Sequence, residues 1–233
     1  DSITEIARAA FADCPALTGI VISENTTKIG CKAFSGCSSL TRVTIPGTVT
    51  EIGEYAFSGC TGLTAMVIPN GVAEIGDGVF SWCNNLTNIT VDDANTAYCS
   101  ENNILYTKNK KKVIAAAGAL KGHIVLSDSV TEIGKDAFAG CTGLANITIS
   151  SSITAISEYA FSGCTDLTSI VIPDTVTKIE AHAFFGCSSL TSITIPDSVA
   201  KIGGGAFYGC TSLKSIVIPD SVTEIKDDAF QNC

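Results

Sequence analysis

The sequence predicts an α/β solenoid, a stack of similar coils built from short parallel strands, and three observations favour this fold class. A frame of 23 residues recurs along almost the whole chain of 233 residues. It is clearest at residues 164–186, which read CTDLTSIVIPDTVTKIEAHAFFG, and it returns at residues 187–209 and 37–59. The apolar positions coincide in each copy, and 45% of all residues are hydrophobic. A repeat of this size buries its apolar side chains only against its neighbours, so a fixed period is typical of a solenoid.

The first side of each coil is predicted to be a β-strand. In residues 164–186, Leu167, Ile170 and Ile172 have the spacing LxxIxI, whose last three residues alternate as a strand does. We expect Ile170 and Ile172 to face inward and Val171 to face outward. The strands of successive coils are then expected to pair in parallel, about 4.8 Å apart.

The rest of the coil is predicted to turn twice. Pro173 suits a corner, because proline fixes φ and lacks a backbone donor. Val176 and Ile179 continue inward on a second short extended segment. Ala183 and Phe184 are expected to lie in a short helical or 3-10 turn that closes the coil.

The repeat organises the chain as a single solenoid domain over residues 1–233, with regular repeats at 1–91 and 124–233. Between them, residues 92–123 form an irregular unit. There we expect a projecting β-hairpin, with Asn103–Thr107 and Lys112–Ala116 as its strands, in addition to nine parallel strands. The chain opens at Asp1 in mid-repeat, so we expect a piece of a longer protein.

Composition argues against several classes of function. The net charge of -9 argues against a nucleic-acid backbone binder, which needs clustered Lys and Arg. The longest apolar run, Val113–Leu120, is far shorter than the roughly 20 residues of a membrane span. No nucleophile elbow, phosphate loop or His beside a nucleophile is present, so neither an enzyme nor a cofactor is predicted.

Cysteine recurs at one position of the repeat. Nine of the eleven cysteines share it: Cys14, Cys37, Cys60, Cys83, Cys141, Cys164, Cys187, Cys210 and Cys233. Stacking would align their Cβ vectors in parallel, which disfavours disulfides and predicts free buried thiols. No CxxC pair occurs and the two histidines are far apart, so no metal site is predicted. Whether Cys31 and Cys99 form disulfides is left open by the sequence.

Two surfaces are candidate binding sites. The outward positions of the strands are nearly uncharged and small, and they predict a protein-docking face, although Thr and Val also have high strand propensity. The candidate residues are Val21, Arg42, Thr44, Val67, Asn88, Thr90, Thr148, Ser169, Val171, Ser192, Thr194 and Val217. The hairpin turn carries the second candidate site, which is either an attractive patch for an acidic partner or a solvated turn. It consists of Lys108, Lys110, Lys111 and Lys112.

The frame LxxIxIPxxVxxIxxxAFxGCxx resembles the BspA-like, or Treponema-type, class of bacterial leucine-rich repeat along essentially the whole chain. Nine AF or VF pairs, from Phe11 to Phe230, and five IP corners carry this resemblance. It implies a right-handed superhelix in a cell-surface or secreted protein, with adhesion to host matrix or plasma proteins as a function. The family has no catalytic residues to transfer to this chain.

The sequence therefore predicts a non-enzymatic protein-binding or adhesion module that binds through the concave strand face. The alternative is a structural spacer that displays other domains and binds nothing itself. Both functions fit the same core, and they differ in whether the outward faces tolerate charge. The uncapped first and last coils are also expected to support end-to-end self-association.

Overall fold

The computed structural model describes residues 2–233, so the mid-repeat start at Asp1 lies outside the described residues. The chain divides into two compact units, Asp1–Ala119 and Leu120–Cys233. Over the described range the secondary structure consists of strands and turns, without a helix. The expected α/β class is therefore corrected to an all-β repeat fold.

The first unit contains eleven strands. In chain order they are β1 (Glu5–Ile6), β2 (Gly19–Val21), β3 (Lys28–Ile29), β4 (Arg42–Thr44), β5 (Glu51–Ile52), β6 (Ala65–Ile68), β7 (Glu74–Ile75), β8 (Asn88–Val91), β9 (Tyr98–Glu101), β10 (Ile104–Thr107) and β11 (Lys112–Ala116). Strands β1, β3, β5 and β7 form one parallel sheet, and β2–β4 and β6–β8 form two parallel pairs. Each regular coil thus contributes one strand to each of two sides.

The second unit repeats this arrangement. Its strands are β12 (Gly122–Val125), β13 (Glu132–Ile133), β14 (Leu144–Thr148), β15 (Ala155–Ile156), β16 (Ser169–Val171), β17 (Lys178–Ile179), β18 (Ser192–Thr194), β19 (Lys201–Ile202) and β20 (Glu224–Ile225). Strands β12, β14, β16 and β18 form one parallel sheet, and β15, β17, β19 and β20 form another. The expected second extended segment of each coil is present as these two-residue strands.

The inward and outward assignment of the first strand is confirmed. Ile170 and Ile172 are buried, whereas Val171 between them is 76% exposed. Ile147, Ile170 and Ile193 are register partners on neighbouring strands, so equivalent residues of successive coils lie side by side. The period of 23 residues is what keeps this register constant.

One expected parallel strand is not formed. Residues 215–218 occupy the ninth strand position of the repeat, but β18 is the last strand of its sheet. Ile216 and Ile218 are only half-buried, whereas Ile193 and Ile195 one coil earlier are buried. Burial of apolar surface is therefore smaller here, and it compensates less of the conformational entropy that is lost when the segment is ordered.

The expected helical or 3-10 turn at the AF pair of each coil is replaced by consecutive turns. The backbone N–H groups of His182 and Phe184 donate to the carbonyls of Gly204 and Ala206 in the next coil, at 2.9 and 2.8 Å. The N–H of Phe185, the next residue, instead donates to the carbonyl of His182 within the coil at 3.1 Å. His182 also has a φ of 56°, which no right-handed helix contains. Bonding between coils therefore takes the place of helical bonding.

The core of each unit is a stack of identical side chains. Neighbouring phenylalanine rings of the AF pairs lie 5.2–6.0 Å apart with nearly parallel planes: Phe11–Phe34–Phe57–Phe80 in the first unit and Phe138–Phe161–Phe184–Phe207–Phe230 in the second. Beside them runs the row of nine cysteines that share one repeat position, called the thiol ladder below. All eleven cysteines of the chain are free. Seven of the nine ladder members are buried, while Cys14 is half-buried and Cys233 is exposed.

The irregular unit contributes three strands that pair in antiparallel fashion, in the order β9, β10 and β11. Strands β10 and β11 match the predicted hairpin, but β9, which pairs with β10, was not predicted. Leu105 and Val113 are fully buried, so the hairpin packs into the first unit rather than projecting from it. Tyr98 of β9 is buried as well, and its hydroxyl accepts the backbone N–H of Ile75 at 2.9 Å.

Candidate binding surfaces

The outward face of the first strands, called the strand wall below, is an ordered row in the second unit. Val125, Thr148, Val171 and Thr194 are register partners across β12, β14, β16 and β18. All four side chains are exposed, and Val217 beyond them is 81% exposed. Valine and threonine thus alternate from coil to coil at about 4.8 Å per coil.

The strand wall of the first unit has the same composition. Pairing of β2 with β4 sets Val21 beside Thr44, and pairing of β6 with β8 sets Val67 beside Thr90. Val21 is 95% exposed and Val67 is 59% exposed. The predicted row is therefore present in each unit, with its side chains accessible to a partner.

Polar side chains flank the valine and threonine row. The hydroxyl of Ser169 donates to Oδ1 of Asn146 at 2.8 Å, and Nε2 of His123 lies 2.9 Å from Oγ1 of Thr148. His123 was not predicted for this face, although it lies 23 residues before its register partner Asn146. The remaining predicted polar members are exposed on the same face: Arg42, Asn88 and Ser192.

The lysine turn between β10 and β11 carries less free charge than its sequence indicates. Lys110 forms an ion pair with Glu101 at 2.9 Å, and Lys112 lies 4.0 Å from Asp77. Lys108 and Lys111 are exposed. Two of the four predicted lysines therefore face carboxylates of their own unit, which weakens the field at a distant acidic partner.

The buried thiols of the thiol ladder are protonated at neutral pH. Burial raises the pKa of Cys60, Cys141 and Cys210 to about 12, and it also raises the pKa of Cys164 and Cys187 well above the ordinary value of a thiol. Because the thiolate is the nucleophile and the metal ligand, protonated thiols of this kind neither attack nor ligate at neutral pH. Within residues 2–233, no group of three or more His, Cys, Asp or Glu side chains is placed to hold a metal ion. Over that same range, no helix is long and apolar enough to cross a bilayer.

Stacked coils that each begin with an LxxIxI strand define a leucine-rich-repeat protein. The chain belongs to the family described as BspA type leucine rich repeat region, which matches residues 4–121 and 117–233 with six copies. The resemblance seen in the sequence is thereby confirmed. No curated protein matches the chain in sequence.

Three solved structures of similar chains are of bacterial proteins. A leucine rich cell surface protein from Faecalibacterium prausnitzii is 34% identical with a TM-score of 0.77, and the match covers 100% of this chain and 67% of that one. A leucine-rich repeat protein from Eubacterium ventriosum is 25% identical with a TM-score of 0.66, covering 100% and 81%. The pneumococcal vaccine antigen PcpA is 21% identical with a TM-score of 0.87, covering 98% and 64%, and this likeness shows the fold alone.

Proposed function

We propose that the chain is a non-enzymatic protein-binding or adhesion module of a cell-surface or secreted protein, and that it binds through the strand wall. The observation that carries this proposal is the row of exposed valines. Among residues 2–233, eight large hydrophobic side chains are exposed, and five of them occupy one position of the repeat. These five are Val21, Val67, Val125, Val171 and Val217. Apolar side chains aligned on one exposed face are typical of a docking surface.

The chemistry of the wall specifies the kind of partner. Valine methyls favour an apolar contact, while hydroxyls such as that of Thr194 supply hydrogen bonds at little desolvation cost. Arg42 is the one charged residue among the predicted wall positions. Because few charges are screened, binding should depend weakly on salt. Host matrix and plasma proteins are the proposed partners, from the family resemblance. The surface location of the Faecalibacterium prausnitzii protein supports an extracellular site of action.

The alternative function is a structural spacer that displays other domains. The hydrogen bond between Ser169 and Asn146 favours it, because side chains that bond to each other along the wall need no partner. A spacer should tolerate charge on the strand wall, whereas a binding module should not.

Binding to a panel of immobilised matrix and plasma proteins tests the proposal. Surface plasmon resonance with the whole chain at low and physiological salt should detect a partner whose binding changes little with salt. The variant Val171→Glu with Thr194→Glu places two charges in the row and should abolish that binding.

The matched control is Thr177→Glu with Thr223→Glu, which adds the same charge at exposed positions beside β17 and β20. It should bind as the unchanged chain does. Equal loss in both double variants would contradict the strand-wall site, and binding to none of the panel would favour the spacer.

A further inference from the structure

A second surface of Leu120–Cys233 concentrates positive charge. A cavity of about 320 Å³ is lined by three lysines and two glutamates, together with backbone of β17 and β19. The lining charges are Lys178, Glu180, Lys201, Glu224 and Lys226. Residues 120–233 contain six lysines, no arginine and twelve acidic residues, so half of the cations of this unit meet at one cavity. The cavity lies beside the second strands, away from the strand wall.

The cavity lies where two coils carry small residues at one position of the repeat. The same repeat position holds an acidic residue in four other coils: Glu54, Asp77, Glu158 and Asp227. In the coils that form the cavity it holds Ala181 and Gly204, which leave the space open and omit two negative charges. In the coils before the cavity the position holds Lys135 and Glu158, which form an ion pair with each other at 2.9 Å.

Two of the lysines are adjacent like charges. Lys178 and Lys201 are register partners on β17 and β19. The corresponding partners in the first unit, Lys28 and Glu51, have opposite charges and form an ion pair at 2.9 Å. Like charges directly opposite on neighbouring strands are destabilising, so a bound anion between them would relieve a local cost.

The carboxylates of the cavity neutralise the lysines only in part. Glu224 lies 3.3 Å from Lys201 and 3.7 Å from Lys226, so one carboxylate serves two cations. Glu180 pairs with Lys178. All three lysine side chains are more than half exposed, and exposed ion pairs of this kind contribute little free energy. The lysines can therefore turn toward an incoming anion at small cost.

We propose that this cavity binds a sulfate or carboxylate group, presented either as a free oxyanion or on an acidic glycan chain. The three lysines run across three successive coils, so a chain that carries several anionic groups can contact more than one of them. The site is separate from the strand wall, and its test does not depend on the proposed protein-binding function.

Calorimetric titration of the whole chain at low salt with two probes tests the proposal. The probes are sodium sulfate and a heparin-derived oligosaccharide. Saturable binding of both, tighter for the oligosaccharide and weakened at physiological salt, is expected for a glycan site. Binding of sulfate with the same affinity as the oligosaccharide assigns the site to a free oxyanion. Absence of binding to either probe overturns the proposal.

Variants locate the site. Gly204→Glu introduces the acidic residue that four other coils hold at this repeat position, with a small shift of the Asp227 carbonyl 3.3 Å from the new Cβ, and binding should fall more than about tenfold. Lys201→Gln should weaken binding about three- to fivefold. Lys214→Gln removes the same charge from an exposed lysine outside the cavity and should have no effect. Equal effects of Lys201→Gln and Lys214→Gln would show binding by net charge alone and would overturn the site.

Discussion

The thiol of Cys187 donates to the carbonyl oxygen of Phe161 in the preceding coil, with Sγ and O 3.2 Å apart. The same carbonyl accepts the backbone N–H of Cys164 within its own coil, also at 3.2 Å. One oxygen therefore joins two coils. The bond from thiol to phenylalanine carbonyl recurs at Cys37, Cys60, Cys83, Cys164 and Cys210, with Sγ to O distances of 3.0–3.3 Å.

Removing this thiol should destabilise the stack. Cys187→Ala deletes a fully buried group and one bond of its acceptor, and it should lower the free energy of unfolding by about 1–2 kcal/mol. Cys233→Ala removes an equivalent bond, 3.2 Å from Sγ to the carbonyl of Phe207, at an exposed position, and should cost less than about 0.5 kcal/mol. Urea titration compares the two variants. Equal losses would show that the bond, rather than burial, is what the thiol contributes.

The ladder also predicts that stability falls in alkali. Burial raises the pKa of Cys60 and Cys210 from about 9 in the unfolded chain to about 12 in the folded chain. The folded state thus binds more protons between these two pH values. The contribution of these thiols to the free energy of unfolding is therefore fully present below about pH 9 and is lost as the pH rises through about 12. The raised pKa of Tyr106, to about 12, acts in the same direction.

Urea midpoints measured from about pH 8 to about pH 11 should therefore decrease steadily. Cys60→Ala should show a shallower decrease than the unchanged chain, because one titrating group is removed. A midpoint that stays constant over this range would contradict the effect of burial on the thiols.

The phenylalanine stack should dominate stability. Phe184 is fully buried between Phe161 and Phe207, at ring distances of 5.5 and 5.2 Å. Phe184→Ala should cost about 3–5 kcal/mol, because it leaves a cavity in a core that cannot collapse without moving two coils. Val171→Ser on the strand wall should cost well under about 1.5 kcal/mol. Equal losses in a urea titration would contradict the inward and outward assignment.

Periodicity made the coils predictable from the sequence. The alternation around Val171 fixed which side chains face inward, and the shared spacing fixed the parallel register. The turns at the AF pairs were predicted as helical because apolar spacing is similar in a short helical turn and in consecutive turns. The choice between the two depends on backbone hydrogen bonds to the next coil, such as that from the N–H of Phe184 to the carbonyl of Ala206. The sequence of a single repeat does not contain this information.

The candidate sites were predictable to different degrees. The strand wall follows from the same period, so its residues could be named, whereas its partner could not. The lysine cavity was missed, because it arises from the absence of a side chain at Gly204 and from three lysines that lie in different coils. Recognising it from sequence requires a comparison of each coil with the others at one repeat position.

The turn between β9 and β10 is a tight hairpin turn with two asparagines at its centre. Asn102 and Asn103 have φ of 51° and 62°, as the two central residues of a type I′ hairpin turn require. Asn103→Gly should therefore leave stability unchanged or raise it, since glycine adopts positive φ without strain. Asn103→Val should cost about 1–2 kcal/mol, because a branched side chain is strained there. The control is the same change in an extended strand, Asn88→Val in β8, which should alter the free energy of unfolding by less than about 0.5 kcal/mol. Equal urea midpoints for Asn103→Val and Asn88→Val would rule out a strained turn.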